Sequence, residues 1–463
     1  MRRGLVAAIA MIACSLAVYL AASRDPSAPD GDRRLAGGAD ATVFDTTGNA
    51  FALPVPKLSS KDRRAFAVGN SFFNRNWVTA PASATGRDGL GPTFNAVSCS
   101  SCHFKDGRAQ PPTSSRVAEL GLLLRLSVAD RDGRLQPVAR YGGQLQDRAI
   151  NGVRAEGRIR ITHTPRPGRY GDGTSYTLIA PRYEIVDRAF GALPTRARIG
   201  PRVAPAIFGV GLLEAVPEKT ITDRADPQDA DGDGISGRPN RVDDARSGAQ
   251  VLGRFGWKAN VPTVEQQNAS AFSGDIGITS PIFPDEGCPD GQDACKRAPR
   301  GGRPEIDAKK LDRVTFYART LAVPARRAVQ KPDTSAGERI FSDLGCSSCH
   351  LPQLRTATSD VAALSDQDIR PYTDLLLHDM GPGLADGRPD GLAGGSEWRT
   401  APLWGIGLVR TVNRHTRFLH DGRARSIEEA ILWHGGEAAA AQRRFGMLPA
   451  RQRRDLIAFL GSL

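Results

Sequence analysis

The stretch Cys99-Ser-Ser-Cys-His103 occurs a second time, unchanged, at Cys346-Ser-Ser-Cys-His350. Cys-x-x-Cys-His is the attachment signature of c-type haem. The two thiols add to the two vinyl groups of one porphyrin, and the imidazole of the next residue binds the iron. A zinc site or a thioredoxin-like dithiol would leave the paired histidine unexplained. Two covalently bound haem c groups are therefore predicted, one on Cys99, Cys102 and His103 and one on Cys346, Cys349 and His350.

The sequence around the second motif predicts a cytochrome c domain over 331–463. Ser335-Ala-Gly-Glu338 is a capping box that would begin a helix, and apolar residues follow on one face of it. This helix would run directly into Cys346. The apolar segment 455–460 can supply the closing helix of the domain.

The chain before this domain predicts a larger haem domain, 24–330, around the first motif. A helix is expected over 60–73, followed by a loop rich in glycine and proline. Strand-like segments separated by Gly and Asp turns predict a β insertion at about 117–190, and an Asp-rich loop occupies 226–243. The predicted fold is mainly α, with two cytochrome c-like haem domains, of which the first carries the β insertion and long loops.

Length and composition agree with an ordinary globular chain of two or three domains. The chain has 463 residues, of which 40 % are hydrophobic and 24 % charged, which argues against global disorder. Its 50 glycines and 32 prolines predict many loops. The formal charge of +12 is spread without a basic block, and no nucleic-acid motif is present, so we expect no nucleic acid as a partner. The charge favours solubility and attraction to an acidic partner.

The first residues predict export from the cytoplasm. A short basic start is followed by an apolar run to residue 22 and then by a polar tail, as in a signal peptide covering 1–23. One alternative is an uncleaved membrane anchor. A lipoprotein attached through Cys14 is another. Each alternative places the rest of the chain in the periplasm or otherwise outside the cytoplasm, and no later segment is apolar enough for a polytopic membrane protein.

The remaining cysteine pair, Cys288 and Cys295, lies in a loop of Pro, Gly and Asp residues. Its spacing suits a small loop closed by a disulfide bond, which is stable in an oxidising compartment. With this bond, every cysteine of the exported chain has a role.

The Asp-rich loop predicts a calcium site. Carboxylates stand at alternate positions, Asp229, Asp231 and Asp233, and the next alternate position is Ile235, which would offer its carbonyl oxygen. The twelfth position of the loop is Asn240 rather than the bidentate Glu of an EF-hand. A solvated turn without a metal is the alternative.

Three further stretches resemble the bacterial di-haem cytochrome c peroxidase superfamily, and more closely the di-haem oxidoreductases sometimes labelled thiol oxidoreductases. Phe255-Gly-Trp…Glu-Gln-Gln267 is similar to the peroxidases' Phe-Trp-Asp-Gly…Glu-Gln segment. Asp275-Ile-Gly277 stands where they carry Glu-Met-Gly. Phe418-Leu-His-Asp-Gly422 is similar to their Phe-His-Asp-Gly element. The resemblance covers nearly all of the chain after residue 23.

The resemblance implies roles for four residues near the first haem. Trp257 matches a tryptophan that lies between the two haems and carries electrons; a core aromatic is the alternative. Gln267 matches a polar residue of the peroxide pocket. Asp275 would replace the acid–base carboxylate, although its spacing from Gln267 is shorter than in the peroxidases. Glu214 is the rival carboxylate.

The resemblance also implies the second axial ligand of the His350 haem. Fourteen residues past the histidine of the third stretch, where the peroxidases usually have Met, this chain has His434. A capping box at 426–429 begins a short helix on which His434 shares a face with Ile431. Met380 is the rival ligand. The peroxidases' distal histidine after the first motif has no counterpart before His163, so the first iron is expected to be open.

These features predict a periplasmic di-haem oxidoreductase with peroxidase-like activity. Peroxide or another small oxidant would react at the His103 haem, and electrons would arrive from the His350 haem. The donor would be a small periplasmic electron-transfer protein or a quinol-linked donor. One alternative is a non-catalytic di-haem electron-transfer cytochrome, and another is a redox partner in metal or thiol handling.

Overall fold

A computed structural model of the protein describes residues 32–112, 120–131 and 134–463. Residues 34–463 fold as one unit. The signal peptide predicted over 1–23, with Cys14, lies outside the described residues. Within the described part of the chain, no helix is long and apolar enough to cross a membrane.

The α-helices are short, and most contain a dozen residues or fewer. In chain order they are α1 (Ser60–Asn74), α2 (Cys99–Cys102), α3 (Val210–Glu214), α4 (Glu218–Thr222), α5 (Val264–Ala271), α6 (Asp293–Lys296), α7 (Ala308–Arg319), α8 (Pro332–Asp343), α9 (Val409–Asn413), α10 (Ile427–Leu432), α11 (Ala439–Met447) and α12 (Ala450–Ser462). A single π-helical turn, Phe272–Ile276, continues α5.

The strands form small separate sheets. They are β1 (Thr42–Val43), β2 (Thr93–Phe94), β3 (Leu122–Ala129), β4 (Leu135–Gln136), β5 (Arg148–Ala149), β6 (Arg158–Arg169), β7 (Ser175–Val186), β8 (Arg198–Val203), β9 (Arg241–Asp243), β10 (Gln250–Leu252), β11 (Val323–Pro324), β12 (Leu354–Arg355), β13 (Asp368–Ile369), β14 (Leu377–Asp379) and β15 (Glu397–Arg399). β3 lies between β4 and β8, and β6 pairs with β7 in a long antiparallel hairpin. The other described strands pair two by two.

Two helix pairs frame the two Cys-x-x-Cys-His segments: α1 packs on α7, and α8 packs on α12. Each pair crosses at a glycine. A Cβ atom on Gly69 of α1 would lie 2.0 Å from the Arg313 carbonyl oxygen, and one on Gly337 of α8 would lie 2.0 Å from that of Asp455. Only glycine therefore permits these close helix contacts.

The helix preceding the second motif begins four residues earlier than the capping box predicts, with Lys331 instead of Ser335 at its N-cap. α8 starts at Pro332, whose missing N–H and fixed φ suit the first helical position. Ser335 is inside the helix, and the carboxylate of Glu338 pairs with the guanidinium of Arg326 instead, at 2.8 Å. The capping box predicted at 426–429 is confirmed in its first half: Ser426 is the N-cap of α10, and its hydroxyl accepts from the Glu429 N–H.

The expectation of a mainly α fold made of two cytochrome c-like domains is wrong. Helices contain 28 % of the residues and strands 18 %, spread over many small sheets. The frequent glycines and prolines end helices after two or three turns, so most of the chain between the helix pairs consists of loops and short ladders. Within the segment 117–190, predicted as a β insertion, the longest described strands are the twelve-residue β6 and β7.

Candidate functional site

The first motif forms the short helix α2, and His103 follows directly at its end. The Nδ1 atom of His103 lies 2.7 Å from the Pro205 carbonyl oxygen, and the ring of Phe73 from α1 lies 6.1 Å from the imidazole. A hydrogen bond at Nδ1 leaves Nε2 for a metal, the usual arrangement of a ligating histidine. Burial lowers the pKa of His103 and so favours the neutral imidazole that binds iron.

The second motif repeats this arrangement. Gly345, with a φ of +80°, turns the chain out of α8 and into the motif. The Nδ1 atom of His350 lies 3.0 Å from the Tyr372 carbonyl oxygen, and the ring of Phe341 lies 6.4 Å from the imidazole. Burial, assisted by nearby His434, lowers the pKa of His350 to about 4. The four motif cysteines are not joined in disulfide bonds, which leaves their sulfur atoms available for haem.

Both motifs line one continuous cavity of about 800 Å³. It also brings together most of the sequence-predicted site residues: Trp257, Gln267, Asp275, Met380 and His434. Glu214 is not among the residues that line it. Its carboxylate pairs with Arg319 at 2.7 Å and accepts from the Val264 N–H at 2.8 Å, so it caps α5 instead of facing the cavity.

His434 lies on the cavity wall close to His350, whose pKa it lowers. Its Nδ1 atom lies 2.7 Å from the Ala430 carbonyl oxygen of α10, and burial lowers its pKa as well. His434 therefore has the same arrangement as the two motif histidines: a fixed Nδ1 and a neutral ring that leaves Nε2 for a ligand. Met380 lines the same cavity.

His378, beside the second motif, is engaged at both ring nitrogens. Nε2 lies 2.9 Å from Asp374 and Nδ1 2.7 Å from Glu437. Although burial opposes its charge, hydrogen bonds with Asp374, Cys349 and Glu437 raise the pKa of His378 to about 12. A protonated imidazole has no lone pair for iron, so His378 is a fixed positive charge beside the site.

Asp275 lies in the π-helical turn after α5, close to the first motif. Before haem is attached, burial and then the Asp275 carboxylate raise the pKa of the Cys102 thiol to about 12 and also raise that of Cys99. Burial raises the pKa of Asp275 itself, while Arg125 and a hydrogen bond from Gln144 oppose the rise. The Gln144 amide donates to Asp275 at 2.9 Å and to the Gly274 carbonyl at 2.9 Å. An acid held in this way can keep or release a proton next to the cavity.

Trp257 lines the cavity and is bonded to segments that lie near each of the two motifs. Its indole N–H donates to the Val203 carbonyl oxygen at 2.7 Å, two residues from the Pro205 carbonyl that holds His103. Its own carbonyl oxygen accepts from the Arg399 N–H at 2.9 Å, on the strand that pairs with the one carrying His378. The guanidinium of Arg108 lies 5.5 Å from the Trp257 ring.

Several buried polar atoms on the cavity wall have no hydrogen-bond partner among the described residues. They include Nε of Arg108, Nη2 of Arg202, Nε2 of His420 and Nε1 of Trp398. Burial lowers the pKa of Arg108 to about 10. Arg202 already has an anionic partner, Asp386, at 2.6 Å. Buried cations need such a partner, and a haem propionate would supply one for Arg108. The cysteine and histidine sets, the cavity and Arg108 fit two haem c groups.

The pattern of the sequence does not reveal every residue of this site. His420 stands in a quoted stretch, but only the fold shows its ring stacked on Trp398, with 3.7 Å between the ring centroids. Gln144 orients Asp275 from a loop 131 residues away along the chain. Arg108, which lines the cavity, is the one with a signal in the sequence, because it stands only five residues after His103. His163 lies exposed on β6, away from either motif.

The Asp-rich loop lies at the edge of the cavity, which Asp233 and Ile235 line. Ligand oxygens of Asp226, Asp229 and Asp231 lie within 4.8 Å of one another. Most of these carboxylates accept backbone N–H groups of the loop; Asp229, for example, accepts from Gly234 at 3.1 Å. Asn240 is buried elsewhere, where its amide donates to the Lys258 carbonyl oxygen at 2.7 Å.

The pair Cys288 and Cys295 forms a disulfide bond. Its loop contains the buried Gln292, whose amide donates to the Arg140 carbonyl oxygen at 2.8 Å and to Glu156 at 2.6 Å. The bond therefore closes a loop that is hydrogen-bonded to the segment before the β6–β7 hairpin, and neither cysteine lines the haem cavity.

Fold and site together define a chain with two haem-binding motifs facing one cavity. A family model described as "Di-haem oxidoreductase, putative peroxidase" matches residues 32–155 and 192–463. The protein therefore belongs to the di-haem oxidoreductase family, as the resemblance of its motifs predicted. Among curated proteins, none matches the chain significantly.

Proposed function

We propose that this protein is an exported di-haem c-type oxidoreductase with peroxidase-like activity. The observation that carries the proposal is the asymmetry of the two haem positions. His350 has a second histidine, His434, near it on the cavity wall, whereas Asp275, with Gln267 on the same cavity wall, lies beside the first motif. A closed haem suits electron transfer, and an open haem beside a carboxylic acid suits chemistry.

At the first site, bound haem would supply an iron that accepts peroxide. The residues of the chain then have separate tasks. His103 would hold the iron from one side, fixed by the Pro205 carbonyl. Asp275 would take a proton from the incoming peroxide and return it to the departing oxygen, because its buried carboxyl is more easily protonated than an exposed one. Gln144 would keep that carboxyl pointed at the reacting atoms.

At the second site, His350 and His434 are the residues that would hold the electron-transfer haem. Electrons would pass to the first site by way of Trp257, whose indole is held by Val203. Neighbouring Arg108 provides positive charge near the ring and favours an electron-rich indole over its oxidised form. Two electrons and two protons are required for each peroxide reduced to water.

We further propose that the partners are a small acidic electron-donor protein, or a quinol-linked donor, and a small oxidant in the periplasm. The net charge of +12 supports an acidic donor. Calcium in the Asp229–Asp231–Asp233 loop, with the Ile235 carbonyl as a ligand, would rigidify the edge of the cavity. Its removal by chelation would test that role.

The decisive variant is Asp275→Asn. We expect peroxide turnover to fall by about 10² to 10⁴ because the proton shuttle is lost, while cyanide still binds the first ferric haem. Glu214→Gln is the matched control, since Glu214 pairs with Arg319 outside the cavity, and its turnover should remain within a few-fold of the parent protein. Comparable losses in both variants would exclude Asp275 as the specific acid–base group.

The proposal also predicts one high-spin and one low-spin haem in the ferric or half-reduced protein. Electron paramagnetic resonance would separate the two signals. Two low-spin haems that remain low-spin after half-reduction, with no reaction toward peroxide, would identify the protein as a non-catalytic electron-transfer cytochrome.

A further inference from the structure

The β6–β7 hairpin is the part of the described chain that the family model leaves out. That model ends at residue 155 and resumes at 192, and the hairpin pairs Arg158 with Val186 at its base and Arg169 with Ser175 near its tip. We call residues 158–186 the arm. A two-stranded hairpin is marginally stable alone, so its conformation depends on the surface it covers.

The tip of the arm packs against the C-terminal helices. Tyr170 is 8 % exposed and belongs to the hydrophobic core around α8 and α12. The Arg453 guanidinium of α12 lies 3.8 Å from its ring centroid, and the Phe445 ring of α11 meets it edge-on at 6.3 Å. The Gly171 N–H also donates to the Gly446 carbonyl oxygen at 2.9 Å. These contacts fix the tip in one position.

The arm also contacts the helix that leads to His434. The Tyr170 hydroxyl donates to the Glu428 carboxylate of α10 at 2.9 Å. From the chain just before α10, the Arg425 guanidinium donates to the Thr177 carbonyl oxygen at 2.7 Å. The guanidinium of Arg166 lies 5.6 Å from the ring of Trp433, the residue before His434. The arm thus contacts the start, the first turn and the end of α10.

A helix of six residues cannot hold its own position, because isolated helices this short are unstable in water. The His434 imidazole is fixed through its hydrogen bond to Ala430 of this same helix. Any displacement of α10 therefore moves the Nε2 atom that faces the cavity. The surfaces that pack on α10 therefore determine how firmly the His434 imidazole is held in its position on the cavity wall.

We propose that the arm is a positioning element for His434, one that holds this imidazole on the second haem. This inference rests on the proposed ligation of the second haem by His434. It adds that packing of the arm on α10 strengthens the binding of this histidine to the iron. Tyr170 and Arg166 are the positioning residues, and neither touches the cavity. With the arm in place, an external ligand must displace a firmly held histidine before it can bind the second iron.

The test measures cyanide binding to the second haem of the ferric holoprotein. In an arm-shortened variant, residues 163–181 are replaced by Asn-Gly, a two-residue hairpin turn that keeps Ile161 paired with Tyr183. Looser histidine binding increases the fraction of open iron. Cyanide affinity at this haem should then rise about tenfold, which corresponds to about 1.4 kcal/mol.

Point variants keep the proposal testable if the shortened chain fails to fold. Tyr170→Phe and Arg166→Gln should each raise cyanide affinity at the second haem about threefold and leave cyanide binding at the first haem unchanged. Arg160→Gln is the matched control on the same arm, because the exposed Arg160 pairs with Glu184 of β7 and not with α10. This control variant should leave the cyanide affinity of both haems unchanged.

Two outcomes separate this inference from the proposed ligation. A lower melting temperature in the arm variants with unchanged cyanide affinity and unchanged low-spin spectrum would overturn the positioning role. If His434→Ala leaves the second haem low-spin while the arm variants alter it, His434 is not the ligand and the arm acts on another group.

Discussion

Three histidines at this site are prepared for iron in the same way. His103, His350 and His434 each place Nδ1 within 3.0 Å of a backbone carbonyl oxygen. Such a bond fixes the tautomer and the ring orientation, so Nε2 is the free ligand atom. His378 differs because two carboxylates occupy both nitrogens. Hydrogen bonding therefore separates these three histidines, each with one engaged ring nitrogen, from His378, whose ring nitrogens are both engaged.

Replacing His434 with alanine should open the second haem. We expect one of the two haems to change from low-spin to high-spin in the ferric protein and to bind added imidazole, which restores the original spectrum. Optical and paramagnetic resonance spectra would measure this change. Met380→Leu is the control and should leave both haems unaltered; the reverse pattern would make Met380 the ligand.

Glu156 is a buried acid outside the haem cavity and makes stability depend on pH. It is fully buried and accepts from the Gln146 N–H at 2.7 Å and from Gln292 at 2.6 Å. Burial raises the pKa of Glu156 to about 7, although these two hydrogen bonds oppose the rise. The folded state therefore binds its proton more tightly than the unfolded state does.

Because the folded pKa of Glu156 is raised, its contribution is fully present below the unfolded value near 4.5 and is lost as the pH rises through about 7. The parent protein should lose on the order of 3 kcal/mol relative to Glu156→Gln between pH 5 and pH 8. Denaturant unfolding at several pH values measures the difference. Parallel pH profiles for the two proteins would contradict the assignment.

At the scale of elements, the two helix pairs depend on glycine. α8 and α12 approach so closely at Gly337 that no Cβ atom fits against the Asp455 carbonyl oxygen. The pair supports the second motif, since α8 ends at Asp343 and only two residues separate it from Cys346. A methyl group at this crossing must push the helices apart, and the cost appears in the free energy of unfolding.

Gly337→Ala should destabilise the holoprotein by about 3 kcal/mol, as expected for overpacking in a tight interface. Gly461→Ala in α12 is the control, because a Cβ atom there meets no other atom within 4 Å. It should be neutral or stabilising by up to about 1 kcal/mol. Equal losses of stability in the two variants would show that the α8–α12 crossing is not tight.

At the scale of the whole molecule, Trp257 lines the cavity and is bonded to two segments that are distant from each other in the chain. Its indole N–H donates to the Val203 carbonyl oxygen, and its own carbonyl oxygen accepts from the Arg399 N–H. Val203 also donates its N–H to the His420 carbonyl oxygen at 2.7 Å. The Trp257 ring itself packs against the hydrophobic core around α8 and α12.

Trp257→Phe should slow electron transfer between the haems and reduce peroxide turnover at least about tenfold. Haem spectra and cyanide affinity should remain as in the parent protein, because neither motif is changed. Trp77→Phe controls for the loss of a buried indole, since Trp77 lies in the core beside Phe272. Equal turnover in all three proteins would remove Trp257 from the electron path.

The sequence alone was enough to predict features that depend only on residues close together in the chain. Two thiols and an imidazole within five residues suffice for haem attachment, and their covalent spacing does not depend on the rest of the fold. The N-cap at Ser426 was predictable for the same reason, since a side chain three residues from its partner needs only one turn of helix. The family resemblance added Trp257, Gln267, Asp275 and His434, and all four line the cavity.

Tertiary structure decided what depends on residues distant in the chain. The mainly α expectation failed because short helices are set by packing and by glycine and proline breaks, which a local pattern does not weigh. Glu214 and Asp275 are equally acidic in sequence, yet Arg319 and the α5 N-terminus engage Glu214, whereas Asp275 is buried beside the first motif. Burial and charge partners come from folding, so only the fold could choose between them.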